Sequence, residues 1–149
     1  MHTTEDISLR HATMDDSQLV YNWQMVPNIR KYSRTVMSHN YNNHLEWMNQ
    51  KISDDKCDFF ICLHLDSPAG FVRLDTNSNE DLEREVSILV SPDYQKKGIA
   101  NAALSFIREQ FPQPNLVAYI DPRNIGSIKL FAKAGYKKIS DERYINYGR

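Results

Sequence analysis

No apolar run in this chain approaches the roughly 20 residues that a bilayer-spanning helix needs, so no membrane segment is predicted. The opening residues Met1-His2-Thr3-Thr4-Glu5-Asp6 lack the basic and apolar blocks of a secretory signal, and a cytoplasmic chain is expected. Cysteine is scarce: Cys57 and Cys62 are the only two, with no zinc-ligand spacing. Cys62 lies in the apolar run Phe59-Phe60-Ile61-Cys62-Leu63 and reads as a small core residue. The nearest histidine pair, His39 and His44, misses the i,i+4 spacing of a helical metal pair, so no metal is expected. An excess of one charge is also missing. With 18 basic and 19 acidic residues the formal net charge is -1, which gives no reason to expect nucleic-acid binding. Repeats and low-complexity segments are absent as well.

What is present suits an ordinary globular domain. The 149 residues are 41% hydrophobic and 25% charged, which predicts one domain over residues 1–149 with a single sizeable core. A first strand is expected over Ile7 to Ala12. Asp15-Asp16-Ser17 offers caps for a helix carrying Leu19, Val20 and Trp23, which Pro27 ends. Asn28 to Asn40 reads as irregular, and a second helix runs from about Asn42 to Ile52. Strands follow over Asp58 to His64 and Gly70 to Asp75, turning at Asp66-Ser67-Pro68, and then over Glu83 to Val90. A helix over Gly98 to Gln110 places Ile99, Ala102, Ala103, Phe106 and Ile107 on one stripe. Leu116 to Ile120 reads as a strand, Asn124 to Ala134 as a helix, and Tyr136 to Tyr147 as a hairpin around Asp141-Glu142. The order β-α-α-β-β-β-α-β-α-β-β predicts an α/β domain built on one mixed sheet.

Gln95-Lys96-Lys97-Gly98-Ile99-Ala100 joins the strand ending at Val90 to the next helix. A glycine-bearing loop at that place aims unpaired N–H groups and the positive helix end at one point, a cradle for phosphate. It is not a Walker loop, because no Gly-Lys-Ser/Thr follows, and it lacks the three glycines of a dinucleotide fingerprint. What remains, Gln-x-x-Gly-x-Ala, resembles the acetyl-CoA loop of the GNAT superfamily (Gcn5-related N-acetyltransferases). Asn124-Ile125-Gly126-Ser127-Ile128-Lys129-Leu130-Phe131 before Gly135-Tyr136 is similar to that family's later motif, Asn-x-x-Ser/Ala-x-x-Leu-Tyr/Phe ahead of Gly-Phe/Tyr.

The resemblance implies the GNAT fold, an acetyl-CoA co-substrate and transfer to a primary amine. Backbone N–H groups of Lys97, Gly98, Ile99, Ala100 and Asn101 would hold the pyrophosphate, with Gln95 opening the loop and Lys96 and Lys97 adding charge. Ile88, Leu89 and Val90 would pair with the pantetheine arm where their strand splays from its neighbour, and Asn124 and Ser127 would contact the arm from the other side. The oxyanion donor implied is a backbone amide near Leu89. Many members carry a Tyr where this chain has Phe131, so the usual acid for the CoA sulfur is missing. Departure would then rest on the helix end at Asn124 or on a water. Glu85 is the candidate base, but at about 3.3 Å per residue it lies roughly 10 to 13 Å from the Ile88 and Leu89 amides, which favours a water chain or a substrate-holding role.

The first third, with Trp23, Pro27-Asn28-Ile29-Arg30-Lys31-Tyr32-Ser33, His44-Leu45-Glu46-Trp47 and Gly70-Phe71-Val72-Arg73-Leu74-Asp75, resembles the UDP-4-amino-sugar N-acetyltransferases of pseudaminic and other nonulosonic acid biosynthesis. That resemblance implies that Arg30 and Arg73 meet a diphosphate while His44 and Trp47 bond to or stack on uracil or sugar. Gln24 stands where that subgroup has Arg. The alternatives are a peptide N-terminus, a polyamine, for which Glu80, Asp81, Glu83 and Glu85 supply a partial acidic cluster, or an acyl-CoA-binding module with little activity. A monomer or homodimer is expected.

Overall fold

A computed structural model describes residues 6–32, 40–76 and 82–149. Ser33, His39, Glu80 and Asp81, which the sequence reading used, lie outside the described residues. The first strand, β1, is Ile7–His11. A 3-10 turn at Met14–Asp16 leads into α1, Ser17–Gln24. Asp16 anchors this corner by accepting from Thr13 N–H at 2.9 Å and by a two-point pair with Arg10 at 2.8 and 2.9 Å. Burial disfavours the Asp16 carboxylate, but the Arg10 bond outweighs it and holds the carboxyl below its ordinary range.

Pro27 does end α1, but it also starts an unexpected helix, α2 over Pro27–Arg30. Val26 before it is extended (φ -61, ψ 125), and proline suits a first helical position because its missing N–H is not needed there. The helix α3 spans Tyr41–Ser53, and the Asn40 side chain caps it by accepting from Asn42 N–H and Asn43 N–H.

The strands β2 (Cys57–His64), β3 (Ser67–Asp75) and β4 (Glu83–Val90) form an antiparallel meander. The turn between β2 and β3 is Leu65-Asp66, with φ values of 49° and 67°, rather than Asp66-Ser67-Pro68. Two successive left-handed residues match the strand twist, and a leucine there leaves no compositional signal. A 3-10 turn at Pro92–Tyr94 then leads to α4, Ile99–Gln110. It is followed by β5 (Asn115–Tyr119), α5 (Ile125–Lys133), β6 (Lys137–Lys138) and β7 (Arg143–Asn146). The sheet has seven strands in the order β1-β2-β3-β4-β5-β7-β6.

Strand alternation divides the core between the two sheet faces. One face sends Val72, Leu74, Val86, Leu116 and Ala118 against Ile99, Ala103, Phe106 and Ile107 of α4 and Phe131 of α5. The other sends Phe59, Ile61, Phe71 and Leu89 against Val20 and Trp23 of α1 and Met48 of α3. Each such fully buried aliphatic or aromatic side chain contributes about 1.5–3 kcal/mol.

Candidate active site

Among the described residues only one neighbouring pair of strands is parallel, β4 with β5, and it separates early. Glu83, Arg84 and Glu85 align with Asn115, Leu116 and Val117, and the register ends there. Beyond it, Val86 to Val90 stay paired with β3 while Ala118 and Tyr119 turn toward β7. The separation opens a cleft of about 850 Å³. Its walls include Ile88, Val90, Ala118 and Phe131 from the α4 face and Phe71, Arg73, Ser87, Leu89 and Tyr119 from the α1/α3 face. The opening therefore runs through the sheet and joins its two sides.

Two glycines set the geometry. At Gly70, aligned with Val90, an added Cβ would meet Leu89 O at 2.1 Å and Val90 Cα at 2.9 Å, so only glycine lets β3 approach the backbone beside Leu89 this closely. Gly98 has φ +80 and forms the N-cap of α4, while Lys96 is also left-handed at φ 64. The first intrahelical bond runs from Ala102 N–H to Gly98 O at 3.1 Å, so the N–H groups of Ile99, Ala100 and Asn101 precede it at the positive helix end. Gln95 braces the loop by donating from Nε2 to Val90 O at 3.4 Å. Gln95 and Ala100 line the cleft, whereas the Ile99 side chain is core and only its backbone is available to a ligand. Lys96, Lys97 and Gly98 are exposed on the loop.

Asn124 and Ser127 both line the cleft, and Asn124 caps α5 by accepting from Ser127 N–H at 3.2 Å. Phe131 is buried edge-on against Tyr136 (4.9 Å, 88°) and reaches the cleft wall with carbon alone. The Tyr136 hydroxyl is buried without a partner, and burial pushes its pKa upward.

Beside the expected Arg73, the α1/α3 side carries two polar residues that the sequence reading missed, Lys51 and Asp75. Lys51 Nζ bonds to Asp75 Oδ1 at 2.9 Å and Arg73 Nε to Asp75 Oδ2 at 2.8 Å, and all three line the cleft. Burial pushes Asp75 up, but the two cations prevail and keep its pKa below the ordinary value. Arg73 also stacks on Trp47 at 5.1 Å, and Glu85, aligned with Asp75, completes the wall. Gln24, only 6% exposed, belongs to this wall with its Oε1 unpartnered.

Two expected substrate residues are placed elsewhere. His44 is 4% exposed, lies outside the cleft and bonds through Nε2 to Ser17 O at 2.8 Å. It is packing between α1 and α3, and burial lowers its pKa. Arg30 turns back to Met25 Sδ at 3.3 Å, and its neighbours Asn28 and Ile29 line the cleft instead. Of the four substrate residues expected beside Glu85, Trp47 and Arg73 reach the cleft. Burial pushes both cysteine thiols up to about 12, which keeps them protonated near neutral pH. Among the described residues no cluster of three or more metal-ligating side chains occurs, and no helix is long and apolar enough to cross a membrane.

A strand opening through the sheet beside a helix-capped anion loop defines an acyl-CoA-dependent acyltransferase scaffold. The chain matches the model of the Acetyltransferase (GNAT) domain over residues 6–137, belongs to that family, and is by class an N-acetyltransferase. Among solved structures it is similar to a spermidine N-acetyltransferase from Vibrio cholerae in complex with CoA and spermine. The identity is 18%, with 95% of this chain and 93% of that one covered and a TM-score of 0.78. An aminoglycoside acetyltransferase in complex with coenzyme A matches at 14% identity, covering 95% and 94%, with a TM-score of 0.76. A domain from Methanocaldococcus jannaschii matches at 24% identity, covering 93% and 95%, with a TM-score of 0.77. At these identities the likeness is one of fold. No curated protein shows a significant match.

Proposed function

We propose that this protein transfers the acetyl group of acetyl-CoA to a primary amine of a small molecule by direct attack on the thioester. The observation that carries the reading is the β4–β5 opening, which leaves the β5-facing edge of Ile88, Leu89 and Val90 without a strand partner. An extended pantetheine arm offers amide groups that complete such an edge. The first-turn amides of Ile99, Ala100 and Asn101, with Lys97 and Gly98 before them, suit the pyrophosphate. The donor thus enters from the α4 face and the acceptor from the α1/α3 face.

The chemistry follows from that arrangement. The attacking nitrogen must be neutral, and Glu85 takes its surplus proton through water, since Glu85 lies three positions before Ile88 along the strand. A backbone N–H near Leu89 on the β5-facing edge receives the developing oxyanion, a contribution worth about 3–4 kcal/mol for one such donor.

The sharpest version of the acceptor is a nucleotide-linked 4-amino sugar. Its support is Trp47 stacked with Arg73 on the acceptor wall, a flat apolar surface beside a cation. A polyamine is the second reading, and the observation for it is the pair of carboxylates Asp75 and Glu85. Lys51 and Arg73 hold Asp75, and Glu85 lines the same wall of the cleft. We place the protein in the cytoplasm as a monomer or homodimer of this single domain.

Calorimetry with acetyl-CoA, then CoA-thiol release with spermidine, kanamycin, an alanine-terminated peptide and a UDP-linked 4-amino sugar, tests the reading. Release with the amino sugar supports the sharp version. Release with spermidine alone selects the polyamine. Binding without release on any amine reduces the protein to a binding module, and no binding overturns the proposal.

A further inference from the structure

The acceptor wall holds a cation that belongs to the protein itself. Lys51 stands in the last turn of α3, one turn beyond Trp47, and its Nζ donates to Asp75 Oδ1 at 2.9 Å. Asp75 is 6% exposed, and its other carboxylate oxygen accepts from Arg73 Nε at 2.8 Å. The two cations are fixed differently. Arg73 lies over Trp47 at 5.1 Å and Phe59 at 5.8 Å and reaches Ser87 Oγ at 3.5 Å, so rings and sheet both hold it. The Lys51 side chain is 28% exposed and lines the cleft. Among the described residues its ammonium has Asp75 as its one hydrogen-bond partner.

Position makes this pair bear on the acceptor. Asp75 aligns with Glu85, four positions before Leu89, which is roughly 13 Å along the strand from the head of the opening. An extended spermidine has a comparable length, so with one amine at the thioester its far ammonium comes level with Asp75. Lys51 already holds that place. A diffusing ammonium that displaced it would gain one ion pair and lose another, against a tethered competitor at high effective concentration. Charge points the same way. On this wall Lys51 and Arg73 balance Asp75 and Glu85, whereas without Lys51 the balance turns negative.

We infer that Lys51 is a specificity-determining residue, an internal ammonium that occupies Asp75 and turns away acceptors carrying a second ammonium. The inference rests on the acetyl-transfer reading above and narrows its acceptor to a primary amine without a second cationic centre at that distance. Removing the lysine then converts the site. Lys51→Ala vacates an ammonium-sized place against a buried carboxylate oxygen, and the far ammonium of a polyamine restores the missing pair.

The test compares spermidine with aminoethoxyethoxyethanol, a chain of similar length that has one amine and no second charge. Calorimetry on the purified protein with CoA present, and CoA-thiol release from acetyl-CoA, follow both amines in wild type, Lys51→Ala and Lys51→Arg. Wild type is expected to bind spermidine no more tightly than the monoamine. Lys51→Ala should tighten spermidine relative to the monoamine by about tenfold or more, the scale of one ion pair at a partly buried site. Lys51→Arg, which keeps the charge, should show no such gain. Adding Asp75→Asn to Lys51→Ala should abolish the gain, which a general loosening of α3 would not do. Melting curves establish which variants fold, and the wild-type comparison needs no variant. A wild type that prefers spermidine overturns the inference, as does a folded Lys51→Ala without the gain or a gain that survives Asp75→Asn. A wild-type protein that releases no thiol with any amine overturns instead the acetyl-transfer reading, while the binding comparison still decides the role of Lys51.

Discussion

Replacing Gly70 by alanine should damage the reaction more than the fold. The added Cβ would meet Leu89 O at 2.1 Å. Even a close carbon–oxygen contact in a sheet needs ~3.3 Å, so the backbones must part by about 1.2 Å. The obstacle is backbone, with no side chain that can rotate away, and β3 is held on its other side by β2. Overpacking of this kind typically costs about 1–3 kcal/mol of stability. That loss can be read as a shift in urea midpoint at unchanged slope. Displacement of a reacting group by about 1 Å can cost 10²-fold in rate, and the displaced group here is the Leu89–Val90 peptide at the head of the opening. Steady-state CoA-thiol release at saturating acetyl-CoA should therefore fall by about 10²-fold in a protein that still melts cooperatively. A folded Gly70→Ala with wild-type kcat would refute the role given to the backbone beside Leu89.

Gly98→Ala meets nothing within 4 Å, so its cost is the left-handed backbone alone. A loss of about 1 kcal/mol in stability is expected, with acetyl-CoA affinity weakened several-fold by calorimetry; unchanged affinity would show that φ +80 is not needed for binding. Gln24→Met removes a buried unpartnered oxygen that costs about 1–3 kcal/mol and should raise the melting temperature, whereas a drop would mean that the amide is satisfied in solution. His44 is buried with a pKa below its ordinary 6.5. The unfolded chain then binds the extra proton, so stability is full above the unfolded value and falls as pH drops through and below 6.5, at up to about 1.4 kcal/mol per pH unit. His44→Gln should flatten that acid-side slope in urea titrations at pH 7.5, 6.5 and 5.5, and an unchanged slope would assign it to other groups.

Much of the fold was legible because its signals are local. The stripe Ile99, Ala102, Ala103, Phe106 and Ile107 is periodic in sequence and buried in the structure. The strand over Glu83 to Val90 was read to its last residue. The loop over Gln95 to Ala100 was legible as a strand-to-helix junction through one glycine, and that glycine is left-handed. What was not legible depends on long-range contact. Lys51 and Asp75 are 24 residues apart and meet only when α3 lies over β3. His44 resembles a ligand residue in sequence, and only its bond to Ser17, 27 residues away, shows it as packing. Arg30 was misplaced because the helix begun by Pro27 turns it toward Met25. Tyr119 reads as an ordinary strand residue, and its place on the cleft follows from where the β4–β5 register stops.

The central claim is that the β4–β5 opening and the Gln95 to Asn101 loop together hold the acetyl donor. Titrating ¹⁵N-labelled protein with acetyl-CoA and following each backbone amide tests it most directly. Shifts concentrated at Ile88 to Val90 and Lys97 to Asn101, with the amides of β1 and α3 unmoved, are predicted. Shifts centred on β1 or α3, with Leu89 and Gly98 unmoved, would contradict it.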